Sequence, residues 1–167
     1  MPRRAAANPQ EPFMQASDTR SQSDVEFVTF QAGGQSFSLD ITHVREIRRW
    51  TAVTPLPHAP KEVLGVMNLR GSVIPIYDLS ARFGLGPTPE SPRNVVVVAM
   101  IDNQTVGLLV EAVSEILSVR RDAIQDTPDI RSESTKQSIT GVVPIEDGMT
   151  RVIDLAAVIQ ARPRQVA

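Results

Sequence analysis

A pattern that occurs twice constrains this chain most. Val44-x-Glu46-Ile47 returns as Val113-x-Glu115-Ile116, Gly65-Val66 as Gly141-Val142, and Asp78-Leu79 as Asp154-Leu155. The last two pairs share one offset and the first has a smaller one, which puts the spare residues in the longer loop of the second half. Each half reads as a hairpin, a short turn, a strand, a loop, a strand and a capped helix. Strands this short and numerous must hide their edges, and closing each set into a small barrel does so.

The segments support that reading. Val25 to Phe30 and Phe37 to Ile41 flank Gln31-Ala32-Gly33-Gly34-Gln35, a hairpin signal with Gly at the turn. Phe37, Leu39 and Ile41 alternate with Ser38 and Asp40, which predicts one buried face. Thr42 is placed to cap a short turn containing Val44 and Ile47. Val53 to Leu56 is a brief extended piece bounded by Pro55 and Pro57, and Pro60 to Leu64 reads as one helical turn leading into Gly65.

Gly84 to Arg93, with Pro87, Pro89 and Pro92, is a surface linker. Asn94 to Ile101 is a Val-rich run with no polar face, the mark of a strand buried on both sides. Asp102-Asn103-Gln104 turns it back through Val106 to Val110. Gln125 to Ser138 is polar, aperiodic and contains Pro128, so it reads as a loop. Ile139 to Ile145 and Thr150 to Ile153 form a last hairpin around Glu146-Asp147-Gly148, and Asp154 caps a helix from Leu155 to about Ala161, stopped by Pro163.

Met1 to Asp24 has no apolar period and predicts a disordered tail, and residues 162–167 a second, short one. The basic start is followed by no apolar h-region, and no apolar run approaches a bilayer's thickness. The expectation is a cytoplasmic protein with no direct membrane insertion.

Within the first half stands Asn68-Leu69-Arg70-Gly71-Ser72-Val73-Ile74-Pro75-Ile76-Tyr77-Asp78-Leu79. Gly71 makes a corner next to Arg70, a strand follows, and Asp78 caps the turn Leu79 to Phe83 that Gly84 ends. Pro75 lacks a ladder donor and belongs at an edge or a bulge. The stretch resembles the Asn-Leu-Arg-Gly-x-Val-Ile-Pro-x-x-Asp-Leu hallmark of the CheW family, the coupling proteins of bacterial chemotaxis. The likeness continues through Val44-Arg45-Glu46-Ile47, Gly65-Val66 and Val152-Ile153-Asp154-Leu155.

The resemblance implies a mainly β fold of two SH3-like five-stranded β-barrel lobes packed together, with short helical turns and a C-terminal helix, over residues 25–161. It implies an adaptor that binds the regulatory domain of the histidine kinase CheA and the cytoplasmic tips of methyl-accepting chemoreceptors, recruited to membrane-associated arrays. Carried over by position, the receptor surface would include Val44, Glu46, Arg70 and Val95, and the kinase surface Val53 and Thr54. A coupling protein of a non-flagellar system, such as one controlling pili, fits the same resemblance.

With 167 residues and no cysteine, the chain has a core to bury but no disulfide, thiol nucleophile or thiolate metal site. His43 and His58 are too few for a typical zinc site, and no hydrolase, zincin or phosphate-loop motif is present. No catalytic residue, metal or cofactor is expected. Asp78 and Asp154 could pass for a carboxylate pair, yet each follows a strand and precedes an apolar turn, which is a cap position. Arg45, Arg48, Arg49 and Trp50 suggest a nucleic-acid-binding barrel; the net charge of −2 and the isolation of Trp50 argue against that partner. By themselves Glu46 and Arg70 read either as separate surface charges or as a pair, and the resemblance implies the pair.

Overall fold

The computed structural model describes residues 24–126 and 138–160. Their strands are β1 (Asp24–Ala32), β2 (Gln35–Asp40), β3 (Val44–Arg49), β4 (Val63–Leu69), β5 (Ser72–Asp78), β6 (Val95–Ile101), β7 (Gln104–Val110), β8 (Ala112–Arg120), β9 (Ile139–Ile145) and β10 (Gly148–Ile153). Two short helices, α1 (Leu79–Arg82) and α2 (Leu155–Gln160), and two 3-10 turns, Ile41–His43 and Arg121–Ala123, complete them. The chain is mainly β. The tails 1–23 and 161–167 and most of the Gln125–Ser138 loop lie outside the described residues, and Asp24 already belongs to β1.

The strands form two five-stranded sheets, β8-β1-β2-β10-β9 and β3-β6-β7-β5-β4. Each exchanges a hairpin with the other half of the sequence. The first-half hairpin β1-β2 ladders with second-half β8 and β10, and the second-half hairpin β6-β7 with first-half β3 and β5. Single bridges then draw the sheet edges together. Thr54, beyond β3, pairs with Val66 on β4 through two 2.9 Å hydrogen bonds, and Gln125, beyond β8, pairs with Val142 on β9. Those bridges explain the repeated Gly-Val pair. A Cβ at Gly65 would overlap the Thr54 carbonyl, and one at Gly141 would stand 2.8 Å from the Gln125 oxygen.

Curling gives three cores. Phe27, Val143 and Val152 fill the first lobe, and Met67, Ile74, Ile76, Val96, Val98 and Leu109 the second. The largest lies between the sheets, where Phe30, Phe37, Leu39, Val97, Leu108 and Leu155 meet. Strand β6 shows why its run lacks a polar face: Val96 and Val98 enter the lobe core, while Val97 and Ala99 enter the central one. Arg82 bolts the helices together across this seam. It is buried on α1, donating through Nε to the Val158 carbonyl at 3.1 Å and through Nη2 to Ser138 Oγ at 3.0 Å.

Four expectations are corrected. The cap before β3 is Asp40, whose Oδ1 accepts from the Thr42 N–H and hydroxyl, and Val44 to Ile47 are strand rather than turn. An acceptor is needed at the start of a turn, and the carboxylate one step outside supplies it. Strand β2 is buried on both faces, because Ser38 hydrogen-bonds Thr150 Oγ1 at 2.7 Å inside the lobe. Pro60 to Val63 closes as a turn, with the Val63 N–H on the Pro60 carbonyl, and Val63 and Leu64 already belong to β4. Pro75 stands on an interior strand, but the β5–β7 ladder begins only at Ile76, so its missing N–H interrupts no pairing there.

Candidate protein-docking surface

Strand β3 is an edge of its sheet, and the register shift between Val44 and Glu46 makes Arg45 the extra residue of a bulge. The bulge divides the predicted surface. Val44 opposes Ala99, and Val95 opposes Arg49, on the face turned to the central core; Val44 and Val95 pack half-buried against that core. Glu46 opposes Val98, on the face of the lobe core. Residues paired across strands share a face, so Val44 and Val95 flank one side of β3 and Glu46 the other.

Arg70 reaches Glu46 from the β4–β5 turn. It has φ 52° and Gly71 φ 89°, and Asn68 Oδ1 accepts from the Gly71 N–H at 3.0 Å. Both turn residues have positive φ, the backbone of a two-residue hairpin whose twist matches its strands. This aims the guanidinium at β3, where Arg70 Nη1 lies 2.6 Å from Glu46 Oε2. The hydrogen bond from Arg70 holds the Glu46 carboxyl below its usual range, and Glu46 in turn pushes the Arg70 guanidinium up. The Arg70 side chain is 69% exposed, so most of its donors face outward.

A third member was missed. Arg48 Nη1 stands 3.3 Å from Glu46 Oε1. Residues two apart on a strand share a face, so the Glu46-x-Arg48 spacing held the signal, but Arg48 read as part of a basic patch. That patch disperses. Arg45 is exposed and donates to Met100 Sδ at 3.3 Å, Arg49 is exposed, and Trp50 packs half-buried against the lobe core.

The kinase-side residues sit on the closing segment: Val53 packs half-buried on the lobe core, and Thr54 is exposed while its backbone makes the bridge to Val66. His58 is exposed at φ 65° among prolines. His43 lines a cleft of about 330 Å³ with Phe27, Arg121 and Ile124. The two aspartates work as caps: Asp78 accepts from the Ala81 N–H at 3.4 Å and Asp154 from the Ala157 N–H at 3.2 Å. Asp78 also accepts from the Thr88 N–H at 2.9 Å and from its hydroxyl. Among the described residues no three His, Cys, Asp or Glu side chains group to hold a metal ion.

Residues 26–162 match the family model of the CheW-like domain. The chain is 46% identical over 142 residues to the Chemotaxis protein CheW of Rhizobium meliloti (strain 1021), covering 85% of this chain and 92% of that protein. It is 44% identical to the Probable chemotaxis protein CheW of Rhizobium etli, covering 88% and 95%. The crystal structure of the scaffolding protein TtCheW from Thermoanaerobacter tengcongensis superposes with a TM-score of 0.77 at 28% identity, over 85% of this chain and 92% of that one. Fold and sequence agree, and the chain belongs to the CheW family, the coupling adaptors of bacterial chemotaxis.

Proposed function

We propose that this chain joins the cytoplasmic tips of methyl-accepting chemoreceptors to the regulatory domain of the histidine kinase CheA, in the cytoplasm at membrane-associated arrays, and makes or breaks no bond itself. The receptor docks along β3 through Val44, Glu46, Arg70 and Val95, and the kinase along Val53 and Thr54. The observation that carries this reading is the Glu46–Arg70 pair on an exposed edge, with most of the guanidinium still open to a partner. A planar fork held at one donor is oriented before the partner arrives, which lowers the ordering cost of binding.

Bridging needs separate faces, and the segment carrying Val53 and Thr54 leaves β3 to bridge to β4, the opposite edge strand of the same sheet. Among the described residues no helix is long and apolar enough to cross a membrane.

The test uses purified receptor signalling fragment and kinase regulatory domain. Arg70→Ala and Glu46→Ala should each weaken receptor capture by about tenfold, as loss of an interface anchor does, with little change in thermal midpoint. Thr54→Arg should weaken kinase capture and spare the receptor. Unchanged capture of both partners by all three variants would refute the surface.

A further inference from the structure

The two lobes follow one five-strand plan but are not filled alike. Among the described residues the second lobe buries Met67, Ile74, Ile76, Val96, Val98 and Leu109, and the first only Phe27, Val143 and Val152. The less filled lobe is the one that opens into the cleft of about 330 Å³. Val25, Phe27 and Val152 line that cleft from the lobe's own core, and Ile101 and Leu155 from the central one. A volume near 300 Å³ is the lower end for a ligand pocket, so the cleft takes one or two side chains rather than a folded partner.

The chain carries such side chains at the right place. Strand β1 starts at Asp24, which pairs with Arg120 at the end of the β1–β8 ladder, and the residues that follow these two, Val25 and Arg121, both line the cleft. Residue 23 is therefore joined to the fold at the cleft's mouth. Between residues 2 and 23 the only large apolar side chains are Phe13 and Met14. Nine residues, 15–23, tether Met14 to Asp24. A flexible tether of that length spans about 17 Å, enough to fold back onto Val25 and Phe27. It also holds its end at an effective concentration in the millimolar range, so a contact too weak to capture a separate peptide is still made within the chain.

We propose that Phe13 and Met14 occupy this cleft, and that the N-terminal segment thereby completes the core of the first lobe. The docking of the tail is independent of the receptor and kinase surfaces proposed above. The competing occupant is segment 127–137, which leaves the fold three residues after Ile124 and has one large apolar residue, Ile130.

The experiment follows the methyl ¹³C–¹H signals of Val25, Ile101 and Val152 in the full chain. Phe13→Ser combined with Met14→Ser should shift all three, leave Ile74 and Val98 of the second lobe in place, and lower the thermal midpoint by about 3 °C. Phe13→Leu with Met14→Leu keeps apolar volume and should hold the midpoint near that of the native chain. A peptide of residues 8–22, added to millimolar concentration, should return the signals of the Ser variant toward their native positions and leave the native chain unchanged. The same peptide with Ser at both positions should do neither. Signals unmoved by the double Ser variant would overturn the proposal, and if Ile130→Ser moves them instead, segment 127–137 is the occupant. Shifts that the peptide fails to reverse, or a native chain that responds to it, would overturn it equally, since the cleft would then not be filled by the tail.

Discussion

Asp78 and Asp154 hold equivalent places in the repeat, yet they bear different loads. Asp154 is half-buried and accepts from the Ala157 N–H, so Asp154→Ala should cost about 1 kcal/mol, the usual worth of a cap. Asp78 is 2% exposed and also ties down Thr88 of the linker through two donors. Its replacement by Ala should therefore cost about 2–4 kcal/mol, since charge-assisted bonds are lost and three half-buried donors are left without them. Urea denaturation at neutral pH separates the two, and equal losses would contradict the assignment. The Glu46–Arg70 pair of the proposed receptor surface makes a pH prediction of definite sign. Hydrogen bonding to Arg70 lowers the folded-state pKa of Glu46, so the pair's contribution is complete above the ordinary glutamate range and is lost as pH falls through the lowered value. Receptor capture, measured relative to Glu46→Gln, should stay flat through mildly acidic pH and decline only below that range. A decline beginning near neutrality would place the control in a histidine instead.

At the scale of single elements, what could be read in advance followed local chemistry. The Asn68–Gly71 corner, the Asp78 and Asp154 caps and the unbroken apolar run of β6 all rest on residue types a few positions apart, and the structure has each of them. What escaped depends on neighbours distant in sequence. Ser38 looked like an outward residue because its acceptor, Thr150, comes from the far end of the chain. Nothing near Arg82 announced a buried guanidinium, since its acceptors Val158 and Ser138 arrive only when the halves meet. The repeated Gly-Val pair was visible, while its purpose, making room for a closing bridge, was not. That purpose can be tested by comparing two glycines with positive φ. At Gly71 a Cβ would meet nothing within 4 Å, so Gly71→Ala should cost about 1 kcal/mol from backbone strain alone. At Gly65 the same methyl would overlap the Thr54 carbonyl and force the closing bridge apart, so Gly65→Ala should cost about 3 kcal/mol or more. Hydrogen exchange should show the Thr54 and Val66 amides losing protection first; equal costs at the two positions would remove the bridge from the account.

For the molecule as a whole, the repeat announces two lobes but does not say which strands build each, because pairing between halves leaves no local trace. The structure crosses them. Strands β1 and β2 leave the first half to join β8, β10 and β9, while β6 and β7 leave the second half to join β3, β5 and β4. The central core draws Val28, Phe30, Phe37 and Leu39 from the first half against Val97, Leu108, Leu155 and Val158 from the second. Neither half holds the strands of a complete five-stranded sheet, and neither can bury those side chains by itself. The two lobes are thereby fixed relative to one another by a shared core rather than by a linker. It follows that the chain should unfold in one cooperative step, with the same midpoint by near-ultraviolet and far-ultraviolet signals. Dividing it between Glu90 and Ser91, in the exposed proline-rich linker, tests the crossing directly. Each fragment alone should lack a cooperative thermal transition. Mixed in equal amounts they should associate one to one, recover the β-sheet signal and unfold together at a lower temperature that rises with concentration. Cooperative unfolding of either fragment alone would mean that a lobe can be completed within one half, and the exchange of hairpins would then not be what unites the molecule.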